Sequence, residues 1–239
     1  MSSYDVAICY FGLPRSISYV YNSHQKYIYD ILDSKGFTYK KFMHSWKTNE
    51  GKQRVWRYNV KEKINYDEYK LFNPDVYVIE SQDDFIDTIN MSDYYYENEN
   101  EWDKTLLKNH ICALGSENRV YEIMKNSGDT FKYVIVIRPD SEFLLPLPIN
   151  NIFPLQDNEF VICNNRHYQG YNDRFMISNI NSSHIYLTRL KEMKEGRKEC
   201  GYITAEKYLK YTFQKHNSKI KEIKFPFNLI RPDGSKSNT

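Results

Sequence analysis

Five consecutive apolar residues, Tyr133-Val134-Ile135-Val136-Ile137, run directly into Arg138-Pro139-Asp140. A strand with no polar position on either side must be covered on both faces, as in a parallel sheet packed between helices. A second run of the same kind, residues 6–11, ends at Gly12-Leu13-Pro14-Arg15-Ser16. Two such strands far apart in sequence, with helical spacing between them, predict an α/β fold with a mostly parallel sheet flanked by helices.

The rest of the pattern fits that frame. Ser16 is placed to cap a helix carrying Ile17, Val20, His24, Ile28 and Leu32 on one face, with Gly36 as its stop. Residues 37–46 read as a second strand and residues 76–80 as a third. Residues 48–62 are charged and read as a loop, and 67–72 as one or two helical turns stopped by Asn73-Pro74. Residues 91–103 are acidic and Tyr-rich. Asp103 caps a helix with an apolar stripe at Leu107, Ile111, Leu114, Tyr121 and Met124, ending before Gly128. Residues 159–163 form another strand, 182–195 and 204–215 form helices, and 223–230 are extended. With no repeat or linker, residues 1–239 read as one domain whose end, from Asp233, frays.

Composition excludes more than it assigns. The formal net charge is +2, which leaves no basic excess for binding a phosphate backbone, so nucleic acid is not expected as a partner. No window approaches the roughly 18 apolar residues that span a bilayer. A cytoplasmic protein is expected, with any membrane contact peripheral. Cys9, Cys112, Cys163 and Cys200 lack metal-ligand spacing and read as free thiols. The 22 Tyr and 13 Phe fit either codon usage or sugar stacking.

Ligands of open α/β sheets bind beyond the carboxyl ends of strands, and three polar clusters fall there. Gly12 lets a ligand approach the backbone, and Arg15 offers a planar fork for a phosphate or a uracil-type carbonyl, with helix N-terminal amides beside it. An ordinary strand–helix turn with a solvated Arg accounts for the same residues. Asp140 and Glu142, two apart, can face one way in extended chain and hold a divalent hard cation, with Arg138 on a carboxylate or a phosphate. The alternative is a surface turn with an Arg–Asp ion pair. His44 and Trp46 suit a sugar, or equally a core Trp beside a satisfied His. Asn172-Asp173-Arg174 is a polar knot between apolar runs. Within it Asp173 is a candidate general base and Asn172 a candidate substrate contact, or the knot is a turn whose Asp caps local amides.

These segments, in this order, resemble GT-A-type glycosyltransferases that build lipopolysaccharide, capsule or large-DNA-virus glycans. Residues 6–15 look like their opening strand and G-x-x-R loop, and Phe42-Met43-His44-Ser45-Trp46 is similar to their second strand ending in His-(Thr/Ser)-Trp. Residues 73–80 resemble their third strand, 133–140 their strand ending in R-x-D, and Asn172-Asp173-Arg174-Phe175 their (N/H)-D-x-F motif. Glu206 and Arg231-Pro232-Asp233-Gly234 echo the C-terminal region. The resemblance implies a GT-A fold, a nucleotide-sugar donor (UDP- or GDP-linked), a glycan acceptor and Mn²⁺ or Mg²⁺. It implies Gly12 and Arg15 at the nucleotide, the Asp140 region at a metal–diphosphate, and Asp173 near the acceptor. The usual D-x-D triplet is here Asp140-Ser141-Glu142, and Ile137 replaces one of the paired arginines.

Two other readings compete. Gly12-Leu13-Pro14-Arg15-Ser16 also looks like the phosphate loop of sulfotransferases, although Ile17-Ser18 stands where that loop carries Gly-Thr. A non-catalytic nucleotide- or glycan-binding module on the same fold is the other, since fold does not fix function.

Overall fold

The computed structural model describes residues 2–48, 64–96, 99–201 and 204–237. The loop expected over 48–62 therefore lies, apart from Thr48, outside the described residues, as does Trp56.

The two apolar runs lie side by side at the centre of the sheet. β1 (Ser3–Gly12) pairs in parallel with β4 (Thr130–Ile137), Ile8 opposite Ile135. On its other edge β1 pairs in parallel with β2 (Tyr39–Lys47), and β2 with β3 (Val76–Ser81). Beyond β4 come β7 (Phe175–Asn179), antiparallel to both neighbours, then β6 (Glu159–Cys163) and β8 (Lys219–Ile223). The order is β3-β2-β1-β4-β7-β6-β8, seven strands among the described residues. The chain is α/β, with a mostly parallel sheet flanked by helices.

Side chains alternate across a strand, and the two faces of β1 and β4 part accordingly. Val6, Ile8, Tyr10, Ile135 and Ile137 pack with Ile17 and Val20 of α1 (Ile17–His24), Ile28 of the π-helical turn Gln25–Tyr29, and Leu32 of α2 (Asp30–Ser34). Two short helices, α3 (Tyr69–Phe72) and α4 (Gln82–Asp87), flank β3. Ala7, Cys9, Phe11, Val134 and Val136 pack with Val120 and Met124 of α5 (Glu101–Asn126). Leu187 of α6 (Ser183–Leu187) and Leu209 and Phe213 of α8 (Ala205–Lys215) join that face. A two-stranded sheet, β5 (Ser141–Phe143) with β9 (Phe227–Leu229), closes the first face.

Several expectations shift. Asn100, not Asp103, caps α5, and Asp103 returns the second bond of a capping box. The single helix expected over 182–195 is three pieces: α6, a 3₁₀ segment Arg189–Glu192, and α7 (Met193–Cys200). The end does not fray at Asp233: Gly234 N–H donates to Arg231, Ser237 N–H to Leu229, and Ile230 bridges Lys236. Cys9, Cys112 and Cys163 are buried free thiols and Cys200 is exposed. Among the described residues, no helix is long and apolar enough to cross a membrane.

Gly170 shows how tightly the loop between β6 and β7 is docked. A Cβ there would lie 1.9 Å from the Glu206 carbonyl oxygen and 2.4 Å from Lys207 N, the backbone of α8's first turn. Backbone atoms cannot swing aside as a side chain can, so Gly170→Ala must lift the loop and break the 3.0 Å bond from Tyr171 N–H to Glu206 O. The expected cost is about 3 kcal/mol, read as a lower urea midpoint with unchanged slope. An unshifted midpoint would contradict this packing.

Candidate functional site

The strand order fixes where a ligand can sit. From β1 the chain moves outward to β2 and β3, then returns to place β4 on β1's other edge. The crevice beyond the carboxyl ends of β1 and β4 is a topological switch point. The turns leaving both strands meet there in a cavity of about 430 Å³ lined by Gly12, Arg15, Arg138, Asp140, Lys108 and Asp173. Small-molecule sites span roughly 300–1,000 Å³.

Each wall has a local cause. β1 ends where Gly12 takes φ +104° and its N–H donates to Ser116 Oγ on α5 at 2.7 Å. β4 ends because Pro139 has no N–H to extend the ladder. The last ladder bond runs from Arg138 N–H to Arg174 O, 3.0 Å, so the antiparallel pairing of β4 with β7 brings Asp173-Arg174 beside Arg138–Asp140. Asp140 is pinned by its carbonyl, which accepts Ile230 N–H at 2.9 Å.

The Asp140 carboxylate is 2 % exposed and accepts four N–H bonds, two from each of two arginines. Arg15 donates Nε and Nη2 to Oδ2 at 3.1 and 2.7 Å. Arg138 donates Nε to Oδ1 at 3.1 Å and Nη2 to Oδ2 at 2.8 Å. Burial works to raise the pKa of Asp140, but the two guanidinium groups outweigh it and hold the acid well below the usual carboxylate range. A depressed folded pKa gives stability that is present above the unfolded value, near pH 4, and lost as the pH falls below it. On acidification from about pH 6 to 3 the urea midpoint of Asp140→Asn is therefore expected to fall less than that of the wild type. Parallel curves would contradict the assignment.

Asp173 lines the same cavity, and its Oδ1 accepts from Arg174 Nη1 at 2.8 Å. Burial opposes its charge, yet Arg174, Arg138, His110 and Arg189 together lower its pKa, so the carboxylate is ionised at neutral pH. Arg174 also donates Nη2 to Glu206 at 2.8 Å. Burial and the nearby Asp173 push the Glu206 carboxyl upward.

Four expected roles do not survive the geometry. Glu142 is not beside Asp140 in the cavity: its Oε2 accepts from Asn228 Nδ2 at 2.9 Å and pairs with Lys236 at 3.2 Å. Asp140 belongs to the turn and β5 starts only at Ser141, so the two-residue alternation does not hold across them. Among the described residues no group of three His, Cys, Asp or Glu could hold a metal. An Asp140 carboxylate whose oxygens are already taken by two arginines does not fit Mn²⁺ or Mg²⁺, which need several hard oxygen donors.

His44 is fully buried, 2.7 Å from Ser116 Oγ and edge-on to Trp46, and burial followed by Arg119 pushes its pKa down to about 3. It is a core residue. Trp46 is buried as well, donating Nε1 to Cys112 O at 2.7 Å and stacking on Phe85, but it does line the cavity. Asn172 is fully buried and braces the loop, donating to Asn165 O at 2.8 Å and accepting Arg174 N–H at 2.9 Å.

Ser16, at φ 63°, makes no side-chain cap. The start of α1 already has an anion, since Ser18 N–H and Oγ donate to Glu68 at 3.2 and 3.0 Å. The sulfotransferase reading loses its phosphate-binding helix end thereby. Lys108, on α5, enters the cavity unforeseen. Its only signal in the sequence is its place beside the apolar stripe at Leu107 and Ile111.

A family model described as a domain of unknown function, DUF7796, matches residues 99–233. That span is 135 of the 239 residues and takes in Arg138, Asp140 and Asp173, but not Gly12 or Arg15. Comparison with curated proteins finds no match.

Proposed function

We propose that this chain, which belongs to the DUF7796 family, is a glycosyltransferase with a GT-A-like fold that moves a sugar from a nucleotide-sugar to a glycan hydroxyl. One observation carries the reading. Two arginines and an ionised, cavity-facing aspartate share a cleft at the switch point of a mostly parallel sheet.

Transfer from a nucleotide-sugar needs two things of a protein. Charge builds on the departing phosphate as the glycosidic bond breaks, and fixed cations at that oxygen lower the barrier. Arg15 and Arg138 are fixed by Asp140 before any ligand arrives. The acceptor hydroxyl must lose its proton as it attacks, and a positioned carboxylate can take it. Asp173, ionised at neutral pH, has that role here. Its lowered pKa makes it a weak base, so the proton moves only once the C–O bond is forming and the hydroxyl has become acidic. Gly12 leaves room for the nucleotide, since nothing lies within 4 Å of where its Cβ would stand.

A panel of UDP-, GDP- and CMP-sugars tests the reading by thermal melting of the protein. The ligand that binds should raise the Tm in proportion to the logarithm of its concentration. A binding nucleotide-sugar that is never consumed would favour a non-catalytic module instead.

A further inference from the structure

The resemblance implies a divalent cation on the donor's diphosphate, and the donor set at Asp140 does not fit one. Two features of the arginines suggest what takes its place. Arg15 and Arg138 both engage Asp140 through Nε and Nη2, the same edge of each guanidinium. The remaining Nη1 groups are therefore turned away from the carboxylate. Arg15 is 5 % exposed and lines the cavity, and its Nη1 is buried with no hydrogen-bond partner among the described residues. A buried guanidinium N–H without an acceptor is costly, and an oxyanion bound against Arg15 in the cavity would supply one.

Charge agrees. Two guanidinium groups meet one carboxylate at the Asp140 end of the cavity, and Lys108 stands on another wall, with Asp83 and Asp173 also in the lining. Arg231 and Arg166 also act on this cluster, since Arg231 adds to the forces lowering the Arg15 pKa and Arg166 feels Arg138 and Asp140. A planar fork matches two phosphoryl oxygens as it matches a carboxylate.

We propose that Arg15 and Arg138 form a diphosphate clamp that works without a divalent cation, with Asp140 acting as the brace that aims both forks rather than as a metal ligand. Identifying the ligand as the donor's diphosphate rests on the glycosyltransferase reading, whereas independence from metal rests on the donor set. No bond is made or broken in this step: the clamp binds the diphosphate and receives it again as the leaving group.

Calorimetric titration of inorganic pyrophosphate into the full chain, in EDTA and then in Mn²⁺, tests the clamp. Binding is expected in EDTA and should not tighten with Mn²⁺. Arg15→Gln is expected to weaken it at least about tenfold, the loss of one charged contact, and Arg15→Lys to restore part of it. Arg138→Gln, which leaves the buried Arg15–Asp140 pair intact, provides a second variant should Arg15→Gln fold poorly. Pyrophosphate binding that requires Mn²⁺, no binding in either condition, or wild-type affinity in both Gln variants would each overturn the clamp. If sugar transfer proceeds but only with Mn²⁺, the clamp fails and the glycosyltransferase reading stands. If pyrophosphate binds in EDTA through Arg15 while no nucleotide-sugar is consumed, the clamp stands and that reading fails.

Discussion

Asp173→Asn is expected to lower nucleotide-sugar turnover by about 10²–10⁴-fold, the range of a lost general base, while leaving donor affinity nearly unchanged. The amide keeps the size of the side chain and the acceptor oxygen facing Arg174 Nη1, so the loop has no reason to move. What disappears is the group that takes the acceptor's proton. The pH profile gives an independent check. A base must be ionised to act, so kcat/KM falls as the pH drops through its pKa. Arg174 and Arg138 hold that pKa below the ordinary carboxylate value. The wild-type profile should therefore stay flat down to about pH 4. An acid limb near neutral pH would mean that another group is the base.

Arg189→Ala is expected to destabilise the fold by about 3–5 kcal/mol, the cost of stripping one partner from a buried ion pair. Glu117 and Arg189 are 1 % and 2 % exposed and form a buried ion pair, with Nη1 2.6 Å from Oε2 and Nη2 donating to Oε1 at 3.1 Å. Burial already pushes the Glu117 carboxyl up and Arg189 opposes it. Without the arginine its folded pKa rises further. A buried acid with a raised folded pKa costs stability above the unfolded value and costs nothing below it. Burial has already pushed the acid up to about 8 in the intact protein, so below that pH it is protonated with or without the arginine. The defect should be level between about pH 4 and 7 and widen above about pH 8, and Glu117→Gln in the same chain should remove the widening. The pair also reaches the site. Arg189 Nη1 donates to Tyr186 O at 2.6 Å, and Tyr186 Oη donates to Asp173 O at 2.7 Å. Activity should fall with stability, and a variant with native stability at pH 8 would contradict this support.

Much of this was legible in the sequence because burial on both faces leaves an unbroken apolar run. β1 and β4 are such runs, and Arg15, Arg138 and Asp140 follow them directly. β7 is equally central and fully buried, but five residues after a polar knot carry no direction. Nothing local shows that it runs antiparallel between β4 and β6. That reversal sets Asp173 beside Arg138. Side-chain aim was the other obscure quantity. His44 is in a strand and near the crevice, as expected, but Ser116 of α5 claims it for the core. Glu142 is two residues from Asp140, but a turn intervenes and Asn228, far along the chain, holds it. The four bonds that make Asp140 a brace come from an arginine 125 residues away and one two residues away. Only the nearer could be seen as a partner, and the two together occupy the oxygens that a metal would need.

The most direct measurement is the release of free nucleotide when the purified protein is held with each UDP-, GDP- and CMP-sugar, water standing in for the acceptor. Wild type should consume at least one donor, slowly and without added metal, and Asp173→Asn should not. If no donor is consumed under any condition, or if the two proteins consume it at the same rate, the cleft between β1 and β4 is not the centre of a glycosyltransferase.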